Sequence, residues 1–260
     1  AACGIATVSN GAESIGPKFG ATHRKVLRSA GIDVDLSPDQ AAEQIADPAV
    51  GWAYVDQRFS CPSLHELAEL RTRIVKRPCL TTLEVLLGPV RGRSRTHLLT
   101  GYVHKPYPPV YTALARESGY ASAMIVRGVE GGVIPSLNQP SKLFIYQGDE
   151  LDKEVRLDPS DYGINATVRS VPLPKIIPAG DASDEIMTAL DPDALAASSA
   201  EAGLQGLAGV DGPVRDSLVY GAALCLCQLG LEANAASASE KVRSVLDSGE
   251  AMRRFEAVIQ

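Results

Sequence analysis

The residues of this 260-residue chain that could do chemistry gather at two glycine-punctuated stretches. The first carries Asn10, Gly11, Lys18, Gly20, Thr22 and His23 between a strand-like run and a helix-like one. Glycine lets the backbone turn tightly and approach a ligand. An amide, a hydroxyl, a lysine and a histidine in the first turn of a helix then make a nest for an anion. The competing reading of His23 is an ordinary exposed helix histidine. The second stretch is Arg127-Gly128-Val129-Glu130-Gly131-Gly132, directly after the apolar run 121–126. Ligands of open α/β sheets bind beyond the carboxyl ends of strands, so Arg127 and Glu130 are candidate site residues. The alternative is a turn that needs its glycines for positive φ. Both loops are expected to contribute to one cleft.

A third feature is a basic island. Between Arg71 and Arg95 lie Arg71, Arg73, Lys76, Arg77, Arg91, Arg93 and Arg95, opposed by Glu84 alone. It could hold phosphate or nucleic acid, or form a solvated face paired with acids from elsewhere in the fold. No aromatic residue interleaves with the arginines, so stacking on single strands is not signalled. Arg71 falls on the apolar side of a helix predicted over 62–76, together with Leu64, Leu67, Ala68 and Ile74. There it either binds a carboxylate or buries its stem and reaches for solvent. Cys225 and Cys227 point to different sides of a helix and have no matching pair elsewhere, so they read as small buried side chains rather than metal ligands.

The elements that must position these residues alternate. A strand is expected over 1–8, a helix over about 22–30 closed by Gly31, and a second helix opened by Ser37-Pro38-Asp39-Gln40. Serine there is a favourable N-cap, proline suits the first helical position and glutamine completes a capping box. Strands follow at 50–55, 97–103 and 121–126, helices at 81–87 and 108–118, and a late hairpin or sheet edge at 142–146 and 154–157. Beyond residue 182 the pattern is helical, and the helix 213–229 is apolar on nearly all sides. Strands alternating with helices imply an α/β fold, with a central, mainly parallel sheet flanked by helices and C-terminal helices added. One α/β domain over 1–180 is expected, with 181–260 packed on it.

Hydrophobic residues at 45% and charged residues at 22% are ordinary for a globular protein and argue against disorder. No apolar run is long enough to span a bilayer, so a membrane partner is not expected. Five scattered cysteines, an odd number, suggest reduced thiols and a cytoplasmic location. A net charge of −6 disfavours general binding to polyanions while leaving room for a local basic site.

Three strings resemble the anthranilate phosphoribosyltransferase family: 11–31 continuing into "DLSPDQAAEQI", "TTLEVLLGPV" through "MIVRGVEGG", and "GPVRDSLVYGAALCLCQLG" through "ASEKVRSVLDSGEAMRRFEAV". Together they span nearly the whole chain. The resemblance implies a phosphoribosyltransferase or nucleoside-phosphorylase-like α/β fold. It also implies transfer of ribose 5-phosphate from phosphoribosyl pyrophosphate, with magnesium, onto the nitrogen of an aromatic acid. It implies further a helical domain and a glycine-rich GTGGD loop ahead of Ala1. The chain is therefore expected to be one part of a longer arrangement, forming a homodimer or associating with that part. The family's KHGNR loop falls on Ser9-Asn10-Gly11-Ala12-Glu13, where an acid replaces the arginine. Its metal-binding acidic pair falls near Val133-Ile134, leaving Glu130 as the nearby carboxylate. These departures point to a divergent branch. It either transfers or binds a phosphorylated ribose, with the acceptor unspecified, or is an inactive homologue serving as a nucleic-acid-binding or regulatory module.

Overall fold

The computed structural model describes residues 1–14, 20–74, 78–173 and 191–259. In chain order the strands and α-helices are β1 (Thr7–Gly11), α1 (His23–Ser29), α2 (Pro38–Ala46), β2 (Trp52–Asp56), α3 (Gln57–Ser60), α4 (Pro62–His65), α5 (Ala68–Ile74), α6 (Leu80–Glu84), β3 (His97–Gly101), α7 (Tyr107–Glu117), β4 (Ser122–Val126), β5 (Ser141–Gln147), β6 (Lys153–Leu157), α8 (Pro192–Leu207), α9 (Pro213–Gln228), α10 (Ala235–Asp247) and α11 (Glu250–Glu256). The α/β class expected from the alternation is the one observed. No helix among the described residues is long and apolar enough to cross a membrane. The chain divides into two compact units, 1–90 with 173–205 and 250–260, and 91–172 with 206–249.

In the first unit β1 and β2 pair in parallel, from Thr7 opposite Trp52 to Gly11 opposite Asp56. Leu27, Ile32, Val34 and Tyr54 are buried as one cluster, and Trp52, Phe255 and Val258 pack on it. Ala41, Ala53 and Val55 form another, under Val8, Leu36, Ile45 and Val90. The last helix closes this unit. The Trp52 ring stacks on Phe255 with centroids 5.5 Å apart, Trp52 Nε1 donates to Arg254 O at 3.1 Å, and Ile32 bridges Ile259. The predicted capping box of α2 is present: Ser37 Oγ accepts from Gln40 N and Gln40 Oε1 accepts from Ser37 N. Removing such a cap costs about 1 kcal/mol. Ser37→Ala is thus expected to lower the urea unfolding midpoint without changing the denaturant slope, and an unmoved midpoint would count against the cap.

Two expectations need correction here. The first strand starts at Thr7 rather than Ala1, because the chain turns at Gly4, which sits at φ 93° with its N–H bonded to Ala1 O. The helix expected over 62–76 is a series of short turns, α4 and α5, with Glu66 and Leu67 between them. The side chain buried deepest in this stretch is Arg71, whereas Ile74 is 43% exposed, so the apolar stripe does not pack as one face.

In the second unit β3, β4, β5 and β6 form a sheet in that order. β3 and β4 are parallel; β5 and β6 add antiparallel strands, the hairpin expected from the late strand pair. The parallel character thus holds for β1–β2 and β3–β4 but not for the added edge. All five residues of β4 are buried, and α9 buries Val219, Tyr220, Ala223, Leu224 and Leu226, in keeping with its all-round apolar sequence. Pro213 occupies the first turn of α9, and Gly230 takes a left-handed φ of 69° just past its end.

Candidate functional site

The parallel pair β1–β2 ends together at Gly11 and Asp56, so whatever follows stands at the carboxyl edge of the first unit. Tyr54 is buried with its hydroxyl beneath Gly11. A Cβ on Gly11 would lie 3.2 Å from that oxygen, a tight contact that glycine avoids. The ring of His23 meets Tyr54 edge-on at 5.6 Å, and its Nε2 lies 3.1 Å from Ser9 Oγ. Thr22 caps α1 by accepting from Lys25 N, and it donates to Glu13 O at 2.9 Å. Asn10 Nδ2 donates to Glu84 O at 3.4 Å. Asn10, Gly11, Thr22 and His23 therefore lie along one edge, with Asn10 held by Glu84, Thr22 by Glu13 and Lys25, and His23 by Ser9 and Tyr54. Lys18 lies outside the described residues, while Gly20 has open space around its Cα.

Beneath that edge sits a charge cluster that the sequence did not announce. Arg24, only 4% exposed, reaches Glu13, Asp35 and Asp56 with its three nitrogens; the Nε contact to Asp56 Oδ2 is 2.7 Å. Arg28 adds a two-pronged pair to Glu13 at 2.9 and 3.0 Å, and Arg58 pairs with Asp35. Three guanidiniums face three carboxylates, so the cluster is neutral and the acid in the place of the family's arginine is internally compensated. Partial burial would raise the Glu13 carboxyl, but Arg28 and Arg24 outweigh it and hold the group below its ordinary value. Asp35 behaves likewise, with burial opposed and outweighed by Arg24 and Arg58. Burial, reinforced by Asp56, pushes the Tyr54 phenol far above its ordinary value.

Arg71 is inside as well. It is 5% exposed, its guanidinium pairs with Glu84, and it lies 3.5 Å from Thr81 Oγ1; Gln57 donates to the same Glu84 carboxylate at 3.3 Å. Arg73 pairs with Glu69 on the surface, Lys76 and Arg77 lie outside the described residues, and Arg91, which stacks over Tyr120, belongs with Arg93 and Arg95 to the second unit. Along the described residues the basic island is thus divided among different environments.

In the second unit the parallel strands β3 and β4 end at Gly101 and Val126, and the stretch 127–132 folds back over that end. Gly128 in this stretch and Gly101 at the end of β3 are dictated by contact: a Cβ on Gly128 would lie 1.7 Å from Gly132 O, and one on Gly101 2.2 Å from the same atom. Glu130 holds a left-handed φ of 52°, alone among described non-glycine residues, with its side chain 85% exposed and 3.9 Å from Arg169. Arg127 is fixed by its backbone, its N–H donating to Lys142 O at 2.8 Å and its carbonyl accepting from Ser141 Oγ at 2.6 Å. Arg169 is fixed in the same way, because Leu137 N donates to Arg169 O at 2.9 Å and Asn138 Nδ2 to Thr167 O at 3.2 Å. The two arginines line a cleft of about 190 Å³ with Gly128, Ser136, Gln139 and Ser141. Among the described residues no carboxylate lies within ion-pair distance of Arg127.

The structure therefore places Asn10, Gly11, Thr22, His23 and Arg71 in the first unit, and Arg127 and Glu130 in the second. Sequence reasoning missed Arg24, Glu84 and Arg169. The only cue to the first was Asp56, a carboxylate closing an apolar strand, which demands a buried partner. Among the described residues no three His, Cys, Asp or Glu side chains are grouped to hold a metal ion. All five cysteines are free, and burial pushes the Cys225 thiol up to about 11, as befits a packing residue.

Comparison with known proteins supplies the family. The chain is 24% identical over 262 residues to the anthranilate phosphoribosyltransferase of Nitrosomonas europaea, covering all of this chain and 68% of that protein. It is 26% identical over 250 residues to the enzyme of the same name from Sphingopyxis alaskensis, covering 96% of this chain and 67% of that one. In fold it is similar to crystalline anthranilate phosphoribosyltransferase from Thermus thermophilus, with a TM-score of 0.71 at 18% identity over all of this chain and 69% of that one. The Saccharomyces cerevisiae enzyme in complex with PRPP and Mg gives 0.65 at 16% identity, covering 97% of this chain and 71% of that one. The profile of the family described as "Glycosyl transferase family, a/b domain" matches residues 1–252, and the chain belongs to that family.

Proposed function

We propose that this chain is the α/β part of a pentosyltransferase that binds a phosphorylated ribose compound and, with an acceptor, transfers its phosphoribosyl group. The observation that carries this reading is the Arg127–Gly132 turn at the carboxyl end of β4. It sets a guanidinium that has no carboxylate partner among the described residues beside Arg169 in a polar cleft. Relatives named anthranilate phosphoribosyltransferase supply the class of donor. In such a transfer the bond between the ribose anomeric carbon and the pyrophosphate oxygen breaks, and a carbon–nitrogen bond to the acceptor forms. The acceptor nitrogen loses its proton to solvent or a nearby base. The protein's part is to orient the two reactants and stabilise the charge that builds on the leaving pyrophosphate. Guanidiniums suit that role because they stay protonated at any physiological pH.

Titration calorimetry with phosphoribosyl pyrophosphate tests this directly. A saturable heat is expected, weakened on the order of tenfold by Arg127→Ala, the loss of one charge-assisted contact. Flat heats with and without magnesium, at protein concentrations where the fold is intact, would rule the reading out.

A further inference from the structure

The family resemblance implies magnesium at an acidic pair, and the residues present do not fit it. By that resemblance the pair falls near Val133 and Ile134, and Ile134 is turned into the unit: a Cβ on Gly221 of α9 would lie 2.7 Å from Ile134 Cδ1. The nearby carboxylate, Glu130, leans toward Arg169. Hard divalent cations need several oxygen ligands, commonly carboxylates, and one exposed glutamate beside a guanidinium is a poor start.

We infer that the second unit's cleft binds a phosphate or diphosphate group as the free anion, with the guanidiniums of Arg127 and Arg169 taking the place of the metal and Glu130 competing with the ligand for Arg169. The inference deepens the phosphoribosyl reading of the same cleft and rests on it for the identity of the larger ligand.

Four observations carry it. Arg127 and Arg169 line the cleft from different segments, each held at its backbone, so both side chains start from placed backbone positions beside the cleft. The hydroxyls nearby are already engaged: Ser141 Oγ donates to Arg127 O, and Ser136 Oγ to Asn138 Oδ1 at 3.1 Å. The guanidinium N–H groups are thus the strong donors left for a ligand. The adjoining cleft, which also borders Arg127, has its other cations paired, Lys142 with Glu154 at 2.5 Å and Arg156 with Asp158 at 3.3 Å. Finally, Glu130 keeps a left-handed backbone that an ordinary residue adopts at a cost, and this sets its carboxylate 3.9 Å from Arg169, where an internal anion can be displaced by a stronger external one. Two cations bordering one small cleft repel a divalent ion and each other; a polyanion relieves both. Guanidinium forks match phosphate oxygens in pairs, and they need no proton to be gained or lost.

The test is calorimetry with inorganic pyrophosphate on the whole chain, in EDTA and in excess magnesium. Binding in EDTA is expected to be at least as tight as in magnesium, because magnesium neutralises the anion that the arginines recognise. Arg169→Ala is expected to weaken it on the order of tenfold. Glu130→Gln is expected to tighten it about two- to fivefold, the scale of an exposed ion pair released. Glu130→Gly, which also relieves the left-handed backbone, should tighten it in the same direction. A carboxylate that held a metal would give the opposite sign, so weaker binding in either Glu130 variant overturns the inference. Binding that appears only with magnesium overturns it too, and leaves the phosphoribosyl reading standing if phosphoribosyl pyrophosphate then binds. No pyrophosphate heat in either buffer also overturns it, and only the parallel failure of phosphoribosyl pyrophosphate would remove the broader reading.

Discussion

Arg24→Ala is expected to lower the unfolding free energy by about 3–5 kcal/mol, the scale seen when one partner of a buried ion pair is removed. The size follows from Asp56, which is 1% exposed and would lose its Arg24 Nε contact; Oδ1 would keep the Arg58 N–H at 2.9 Å and the distant Arg58 Nε at 4.0 Å, leaving Oδ2 buried without a cation. Urea unfolding at neutral pH measures it. The same cluster gives a pH signature. Glu13 and Asp35 have folded-state values below their ordinary 4.5 and 3.8, so the unfolded chain binds protons before the native one does. Their contribution is complete above those ordinary values and is lost as the pH falls below them, through the lowered native values. In Arg24→Ala that acid-sensitive portion shrinks, because Arg28 and Arg58 alone remain to hold the two carboxyls down. Parallel acid titrations of wild type and variant with equal slopes between neutrality and pH 3 would contradict the assignment of Arg24 as the hub.

Gly128→Ala is the second large effect. The new methyl would lie 1.7 Å from Gly132 O and 2.4 Å from its carbonyl carbon, both backbone atoms that cannot swing aside. The turn over β3 and β4 must open, at a cost of about 1–3 kcal/mol or more, and Arg127, the next residue, moves with it. Pyrophosphate binding is expected to be lost along with part of the stability. Gly132→Ala is the matched control. Its φ of −72° suits any residue and its nearest obstacle, Val129 O, is 3.2 Å away, so stability should change little. Equal effects from the two substitutions would show that glycine content rather than the Gly128–Gly132 contact governs this turn.

The parts of the fold that were legible in the sequence are those governed by local rules. The capping box at Ser37–Gln40, the proline in the first turn of α9, the buried strand β4 and the antiparallel β5–β6 pair all follow from neighbours in the chain. The errors lie where a long-range contact outweighs a local pattern. Leu64 and Ile74 share helical spacing with Arg71, yet what draws this segment inward is the pairing of Arg71 with Glu84. No spacing announces that partner, because it lies on a separate helix. The same holds for the site. Arg127 and Glu130 were visible because glycines flank them after an apolar run. Arg169 was not, since it stands in an irregular segment that is placed by Leu137 N donating to Arg169 O and by the Asn138 side-chain amide donating to Thr167 O. His23 and Thr22 were legible as residues of a first turn, but their engagement with Ser9 and Glu13 depends on β1 reaching Gly11.

The packing of α11 on the first unit bears on how the polypeptide matures. Trp52 cannot acquire its stacking partner until Phe255 has been synthesised, two hundred residues later. During translation that indole face waits in water, and the intervening stretch must organise itself before the first layer is sealed. Contacts of such sequence separation slow folding because the loop must close before the contact rewards it.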